Sequence, residues 1–216
     1  MEDLTDTEVR VIGCLIEKQK TTPQYYPLTL NALVTACNQS SNRYPVVSYD
    51  DATVQDALTS LRERGVTRIV YSTSNRATKY RHVLDEVLEL DEDGQEIAVL
   101  AVLMLRGPQT VGELRTRTER MAEFSSLGEV EATLERLAQR ETPLVVRLER
   151  QASQKEARYA HLLSGEPVMP EVSYTQAASA EPRADRIAAL EAEVAELRDE
   201  VAKVRAELEE MRRLWS

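Results

Sequence analysis

Between Thr5 and Val83 the apolar residues change period in a fixed order, and that order restricts the fold more than any other feature. Val9, Ile12, Leu15 and Ile16 recur at helical spacing, as do Leu30, Leu33, Val34 and Cys37, and then Val54, Ala57, Leu58 and Leu61. Two short β-type runs follow, Ile69–Ser72 and Lys79–Val83, joined by a polar tip at Thr73–Arg76. The punctuation agrees with this division. Thr5 or Asp6 caps the first helix, which ends near Lys20 because the residue before Pro23 is pushed out of the helical region. Thr29 caps the second helix and Ser48 or Asp50 the third, and Gly65 stops the third. Three helices closed by a β-hairpin is the order of a winged helix, a helix-turn-helix variant.

The same order returns downstream. Glu96–Leu105 reads as a buried helix stopped by Gly107-Pro108. Thr110–Glu113 and Ser126–Glu129 read as capping boxes, the second opening a helix over Glu129–Arg140. Val145–Leu148 and Arg158–His161 supply a second hairpin. A shift of 76 residues lays Val54, Leu58, Leu61 and Arg64 on Val130, Leu134, Leu137 and Arg140. The strand Lys79-Tyr80-Arg81-His82 matches Arg158-Tyr159-Ala160-His161 at a slightly different offset. Two copies of one unit account for these coincidences. The expected fold class is mainly α with small β-hairpins (α+β), with winged-helix domains at 1–84 and 85–163.

Residues 164–185 contain Pro167, Pro170 and Pro182 among Ser, Ala and Glu, and read as a flexible linker. Over 186–216, Ile187, Leu190, Val194, Leu197, Val201, Val204, Leu208, Met211 and Trp215 are spaced alternately by three and four. β-Branched residues at a with Leu at the early d positions favour a parallel two-stranded coiled coil, roughly 45 Å long at ~1.5 Å per residue. The flanking pairs Arg186–Glu191, Glu193–Arg198, Glu200–Arg205 and Glu207–Arg212 are opposite in charge only when the helices run parallel. The alternative is one amphipathic helix lying on the protein's own surface. The four matched pairs favour a homodimer.

Charge sets limits on partners. The chain carries a net −10, divided unevenly. Residues 1–84 hold 10 Lys+Arg against 9 Asp+Glu, 85–165 hold 10 against 16, and 166–216 hold 7 against 12. A dedicated nucleic-acid binder usually has a basic domain, and the first unit is only the least acidic of the three. The start, MEDLTDTEV, has no apolar leader region, and no apolar run approaches the ~20 residues that span a bilayer. Cys14 and Cys37 both fall in apolar helix patterns and read as buried free thiols, so a cytoplasmic protein is expected. His82 and His161 lie in different units with no cysteine nearby in sequence, and no CxxC, HExxH, GxSxG or phosphate-binding glycine loop is present. No catalytic residue, metal or cofactor is assigned.

The wording of Glu17–Pro45, EKQKTTPQYYPLTLNALVTACNQSSNRYP, resembles the YceH-like family of uncharacterised bacterial proteins. The resemblance extends over roughly Leu4 to Leu163 with a coiled-coil tail. It implies a tandem winged-helix fold and carries no assigned activity.

If the first unit reads DNA, its third helix presents Gln55, Asp56, Thr59, Arg62 and Glu63 outward. Gln and Arg suit adenine and guanine edges in the major groove, while the two acids oppose phosphate. Arg68, Arg76, Lys79 and Arg81 on the hairpin, with Asn38, Asn42 and Arg43 in the preceding turn, would contact backbone. The second unit exposes Glu131, Glu135, Arg136 and Gln139 at the equivalent helix, a surface better suited to protein. Tyr25 and Tyr26, between prolines, form either a partner patch or a loop with one ring over the core and the other at the surface. The plain packing reading of that loop is favoured. The leading reading is a DNA-binding, regulatory homodimer that uses the first winged helix, and the alternative is a non-enzymatic scaffold whose winged helices dock protein partners.

Overall fold

The Thr5 side chain accepts the backbone N–H of Glu8, and Glu8 reaches back to Thr5, a complete capping box that starts α1 (Asp6–Thr21). The computed structural model describes residues 2–72, 75–149 and 156–167. Two more helices follow, α2 (Leu30–Cys37), capped by Thr29, and α3 (Asp51–Glu63), capped by Asp50. Gly65, in the left-handed region at φ 76°, ends α3. There Val66 N–H bonds Leu61 C=O and Gly65 N–H bonds Arg62 C=O, the two bonds of a Schellman turn.

Strands β2 (Thr67–Ser72) and β3 (Asn75–His82) pair antiparallel, with Ile69 opposite Tyr80. A two-residue strand absent from the sequence reading, β1 (Leu28–Thr29), joins the other edge of β3 and sets the order β1-β3-β2. The chain then makes a short helix, α4 (Leu84–Leu88), also unanticipated. Next come α5 (Gln95–Arg106), α6 (Val111–Thr118) and α7 (Leu127–Ala138), with β4 (Val145–Arg147) and β5 (Tyr159–His161) paired antiparallel. The described residues are therefore mixed helix and antiparallel sheet.

Several boundaries differ from expectation: β2 and β3 begin at Thr67 and Asn75 rather than at Ile69 and Lys79, and β3 ends at His82 rather than Val83. Ser126 caps α7, which therefore begins at Leu127 and ends at Ala138 rather than spanning Glu129–Arg140. The expected box does not close, because the Glu129 carboxylate takes the Ser125 N–H at 2.6 Å and the Gln95 amide at 2.7 Å instead of returning to Ser126. Thr110 and Glu113 do form a full box.

The two halves share further local features beyond the residues that the 76-residue shift aligns. Leu28 pairs with Tyr80, and Gln109 bridges the aligned Tyr159 through two backbone bonds of 2.8 and 3.0 Å. Each pairing residue is followed directly by the threonine that caps the next helix. Arg64 reaches buried Glu8 at the start of α1 (3.5 Å), and its counterpart Arg140 reaches buried Glu96 at the start of α5 (3.9 Å). Both arginines thus tie the end of a third helix to the start of a first.

Helices α1 and α5 are buried on every side, from Glu8 to Ile16 and from Glu96 to Leu105. They lie against each other. Gly13 provides the close approach, since a Cβ there would stand 2.9 Å from the Leu105 side chain. Buried residues of both halves form one apolar cluster, and residues 1–168 make one compact unit. At ~25 cal/mol per Å², complete burial of each large aliphatic side chain contributes about 1.5–3 kcal/mol. Among the described residues Ile12, Leu15, Leu100 and Leu103 are such side chains, essentially inaccessible. Cys14 and Cys37 are buried and free.

Residues 168–185 of the expected linker lie outside the described residues. So do the proposed dimer positions Ile187, Leu190, Val194, Leu197, Val201, Val204, Leu208 and Met211. Among the described residues, no helix is long and apolar enough to cross a membrane.

Candidate nucleic-acid interface

The outer surface of the first half is set by strand alternation. Arg68 stands directly opposite Arg81 across the β2–β3 ladder, and Lys79 is opposite Val70. Successive side chains alternate between faces, so Arg68, Lys79 and Arg81 share one face while Ile69, Tyr80 and His82 share the other. Tyr80 and His82 are buried. The Arg76 side chain, at the hairpin tip, lies outside the described residues. Glu86 on α4 is a counter-charge that sequence reading missed: it sits 3.5 Å from Arg68 and 3.2 Å from Arg81. All three side chains are at least one-third exposed, so each pair stabilises by well under 1 kcal/mol and a phosphate can replace it.

On α3 the expected outward residues divide. Asp56, Arg62 and Glu63 are exposed, and Gln55 and Thr59 are half-buried. The Gln55 carboxamide oxygen accepts the Tyr80 hydroxyl at 3.1 Å, and Thr59 Oγ1 donates to the Gln55 carbonyl at 2.9 Å. Gln55 therefore links α3 to β3, and its amide nitrogen makes no hydrogen bond among the described residues.

The turn between α2 and α3 departs from expectation. Arg43, assigned there to a phosphate, is buried with its side chain wholly inaccessible. Its Nε donates to Ala36 C=O. Its terminal nitrogens donate to both Glu17 oxygens at 3.0 and 2.6 Å, to Asn42 C=O and to Gln39. All five N–H groups are used, so the guanidinium holds the turn and has nothing left for DNA. Burial alone would raise the Glu17 carboxyl, but Arg43 and then Lys18 outweigh it and hold the group below its ordinary value. Asn42 is exposed, and its side-chain oxygen accepts a hydrogen bond from Arg106. Asn38 exchanges two 2.8 Å bonds with the Tyr49 backbone. These are structural roles.

Of the tyrosine pair, Tyr25 is 71% exposed. Tyr26 packs edge-on to His82 with ring centroids 6.3 Å apart, and its hydroxyl accepts the His82 N–H at 2.8 Å. Only one ring is thus at the surface. His82 Nε2 meets Gln19 at 2.6 Å, and burial takes its pKa down to about 4, which Asp85 at 3.5 Å does not offset. His161 is likewise lowered to about 4 by burial. Both shifts favour the neutral ring at pH 7. Among the described residues, no group of three or more His, Cys, Asp or Glu is arranged to hold a metal ion.

In the second half, α7 exposes Glu131, Glu135, Arg136 and Gln139. Arg136 is engaged by Glu96 at 3.2 Å and Asp91 at 3.3 Å. This face is acidic and lacks the cation row of the first hairpin.

The family described as "Protein of unknown function, DUF480" matches residues 4–154. A UPF0502 protein of Geobacter sulfurreducens is 52% identical over 199 residues, covering 90% of each chain. One from Geotalea uraniireducens is 51% identical over 211 residues, 98% of this chain and 94% of its own. The UPF0502 protein YceH of Salmonella paratyphi B is 48% identical over 214 residues, 96% of this chain and 99% of its own. With half of the residues shared along nearly the whole length, the chain belongs to this DUF480, or UPF0502, family of proteins of unknown function, which includes the YceH proteins.

Proposed function

We propose that residues 1–84 and 85–163 are two winged helices, that the first binds double-stranded DNA, and that a parallel coiled coil over 186–216 makes the protein a homodimer. α3 enters the major groove with Gln55 and Arg62 toward base edges, while the β2–β3 hairpin lies over the neighbouring backbone. The observation that carries this reading is the row formed by Arg68, Lys79 and Arg81 on the outer face of the hairpin, joined to α3 by the Tyr80–Gln55 hydrogen bond. Asp56 and Glu63 weaken affinity, and pairing two such faces through the tail restores it by raising effective concentration. Function is then regulatory and non-catalytic.

Three phosphate contacts on one protomer would reduce affinity about 40-fold between 50 and 200 mM salt, and six on a dimer about 2,000-fold. Fluorescence anisotropy with fragmented genomic DNA tests this, beside an Arg68→Ala/Lys79→Ala variant that must show a shallower salt slope. Absence of binding at 50 mM salt would overturn it. A second reading, docking of protein partners, draws on the exposed acids Glu131 and Glu135 of α7. It becomes the better account if DNA binding fails.

A further inference from the structure

The second half is acidic, yet at one place it gathers cations. The end of α5 and the end of α6 bring Arg106, Arg117 and Arg120 around a cavity of about 300 Å³, closed on the first-half side by Asn42, Glu17 and Thr21. Arg106 donates to the Asn42 side-chain oxygen and has no carboxylate within ion-pair distance among the described residues. Burial, and then the like charge of Arg117, pull the Arg106 guanidinium below its ordinary value. Arg117 is 3.4 Å from Glu113. Arg120 is exposed and makes no ion pair among the described residues. Two acids face the same space. Glu17 is already paired with Arg43 at 2.6 Å and Lys18 at 3.2 Å, and Glu113, behind Arg117, is shared with Arg158 at 2.8 Å, so Glu119 is the lining acid without an ion pair among the described residues. Asn42 holds a left-handed backbone, φ 62°, to present its side chain here, and its amide nitrogen makes no hydrogen bond among the described residues.

Crowding like charges around a partly closed space is unfavourable unless an anion offsets it, and a guanidinium's planar donors match phosphate oxygens. We infer that this cavity binds a small phosphate-bearing anion, a phosphomonoester or free phosphate, through Arg106, Arg117, Arg120 and the Asn42 amide. The volume lies at the small end of ligand sites, enough for a phosphoryl group on a compact body. Asn42 belongs to the turn between α2 and α3, so an anion here joins α5 and α6 of the second half to the element that precedes α3. The site is separate from the hairpin row and does not depend on its reading.

The test uses the full chain, with inorganic phosphate as probe and potassium chloride at equal ionic strength as control. Thermal unfolding and isothermal titration calorimetry are run on the native protein, Arg106→Gln and Arg120→Gln. Phosphate should raise Tm saturably, by about 5–10 °C at a hundredfold excess over Kd. Each substitution should weaken binding about tenfold or more. Arg120 is exposed, so its variant should unfold at the native temperature without phosphate and keeps the test valid if Arg106→Gln is destabilised. General salting-out stabilisation persists in both variants, whereas the specific part does not. The inference is overturned if phosphate does no more than chloride, or if both variants respond like the native protein. A third arm adds a mixed-sequence DNA duplex. If Arg120→Gln weakens the duplex while free phosphate has no effect, the arginines are a backbone contact and the small-anion site is wrong.

Discussion

Removal of the Glu17 carboxylate should be among the most damaging single changes in the first half. The substitution Glu17→Ala takes away two of the five acceptors of the Arg43 guanidinium, the carboxylate oxygens at 3.0 and 2.6 Å, and leaves a cation whose side chain has no exposure to water. Breaking a buried pair on one side costs about 3–5 kcal/mol, because the stranded charge keeps its desolvation penalty. For a chain of 216 residues that is a fall in Tm of roughly 6–20 °C. Glu17→Gln retains a carbonyl acceptor without the charge and should lose about 1–3 kcal/mol. Lys18→Ala, which removes only the partly exposed partner on the other side, should lose under ~1 kcal/mol. Urea denaturation at fixed protein concentration gives the ranking, with m unchanged so that the midpoint reports stability. The contribution also has a pH signature. The folded carboxyl sits below its ordinary value of 4.5, so its stabilisation is fully present above that pH and disappears as pH falls through the folded value. The gap between native and Glu17→Ala should therefore close in acid. A loss below ~1 kcal/mol at pH 7 would refute the reasoning, since Arg43 would then be able to reach water.

Three further outcomes follow from other parts of the molecule. His82 and His161, both lowered by burial from 6.5 to about 4, stay neutral in the fold while the unfolded chain takes up protons. Stability should be unaffected by them above pH 6.5 and decline toward pH 4 by roughly 3 kcal/mol for each, and urea midpoints for His161→Gln should show a flatter decline. Gly13→Val drives a branched side chain into Leu105, where even a Cβ stands 2.9 Å away, and should cost about 1–3 kcal/mol or more by thermal unfolding. Gly13→Ala should do less, because added helix propensity of about 1 kcal/mol offsets the contact. Val194→Asp/Val201→Asp should yield monomers in light scattering if the tail is a coiled coil, and an unchanged mass would remove the coil.

Much of the described fold could be read in the sequence because local chemistry decides it. Thr29 and Thr110 cap their helices, Thr5 and Asp50 do so ahead of the alternatives Asp6 and Ser48, and Gly65 ends α3 at a position that requires a positive φ. The 76-residue repeat was visible in core positions that share one helical face. What could not be read depends on distant partners. β1 is two residues long and forms only because β3 offers it an edge. Arg43 carries the usual surface prior of an arginine, and nothing near it signals that Glu17, 26 residues earlier, will hold it inside. Ser126–Glu129 fits a capping box, yet Gln95, 34 residues before Glu129, helps draw the carboxylate away. The all-round burial of α5 was signalled by the apolar run Ile97–Leu105. That of α1 was hidden by Arg10, which is buried through bonds to the carbonyls of Cys37 and Pro45.

In the proposed function the first hairpin holds DNA by its cation row. The measurement closest to it is the salt dependence of DNA binding by the native protein and by Arg68→Ala/Lys79→Ala. Affinity should fall steeply between 50 and 200 mM salt, and the variant should bind more weakly with a slope lower by about 0.9 for each phosphate it no longer neutralises. Binding that is absent at 50 mM, or equal in both proteins with the same slope, would contradict it.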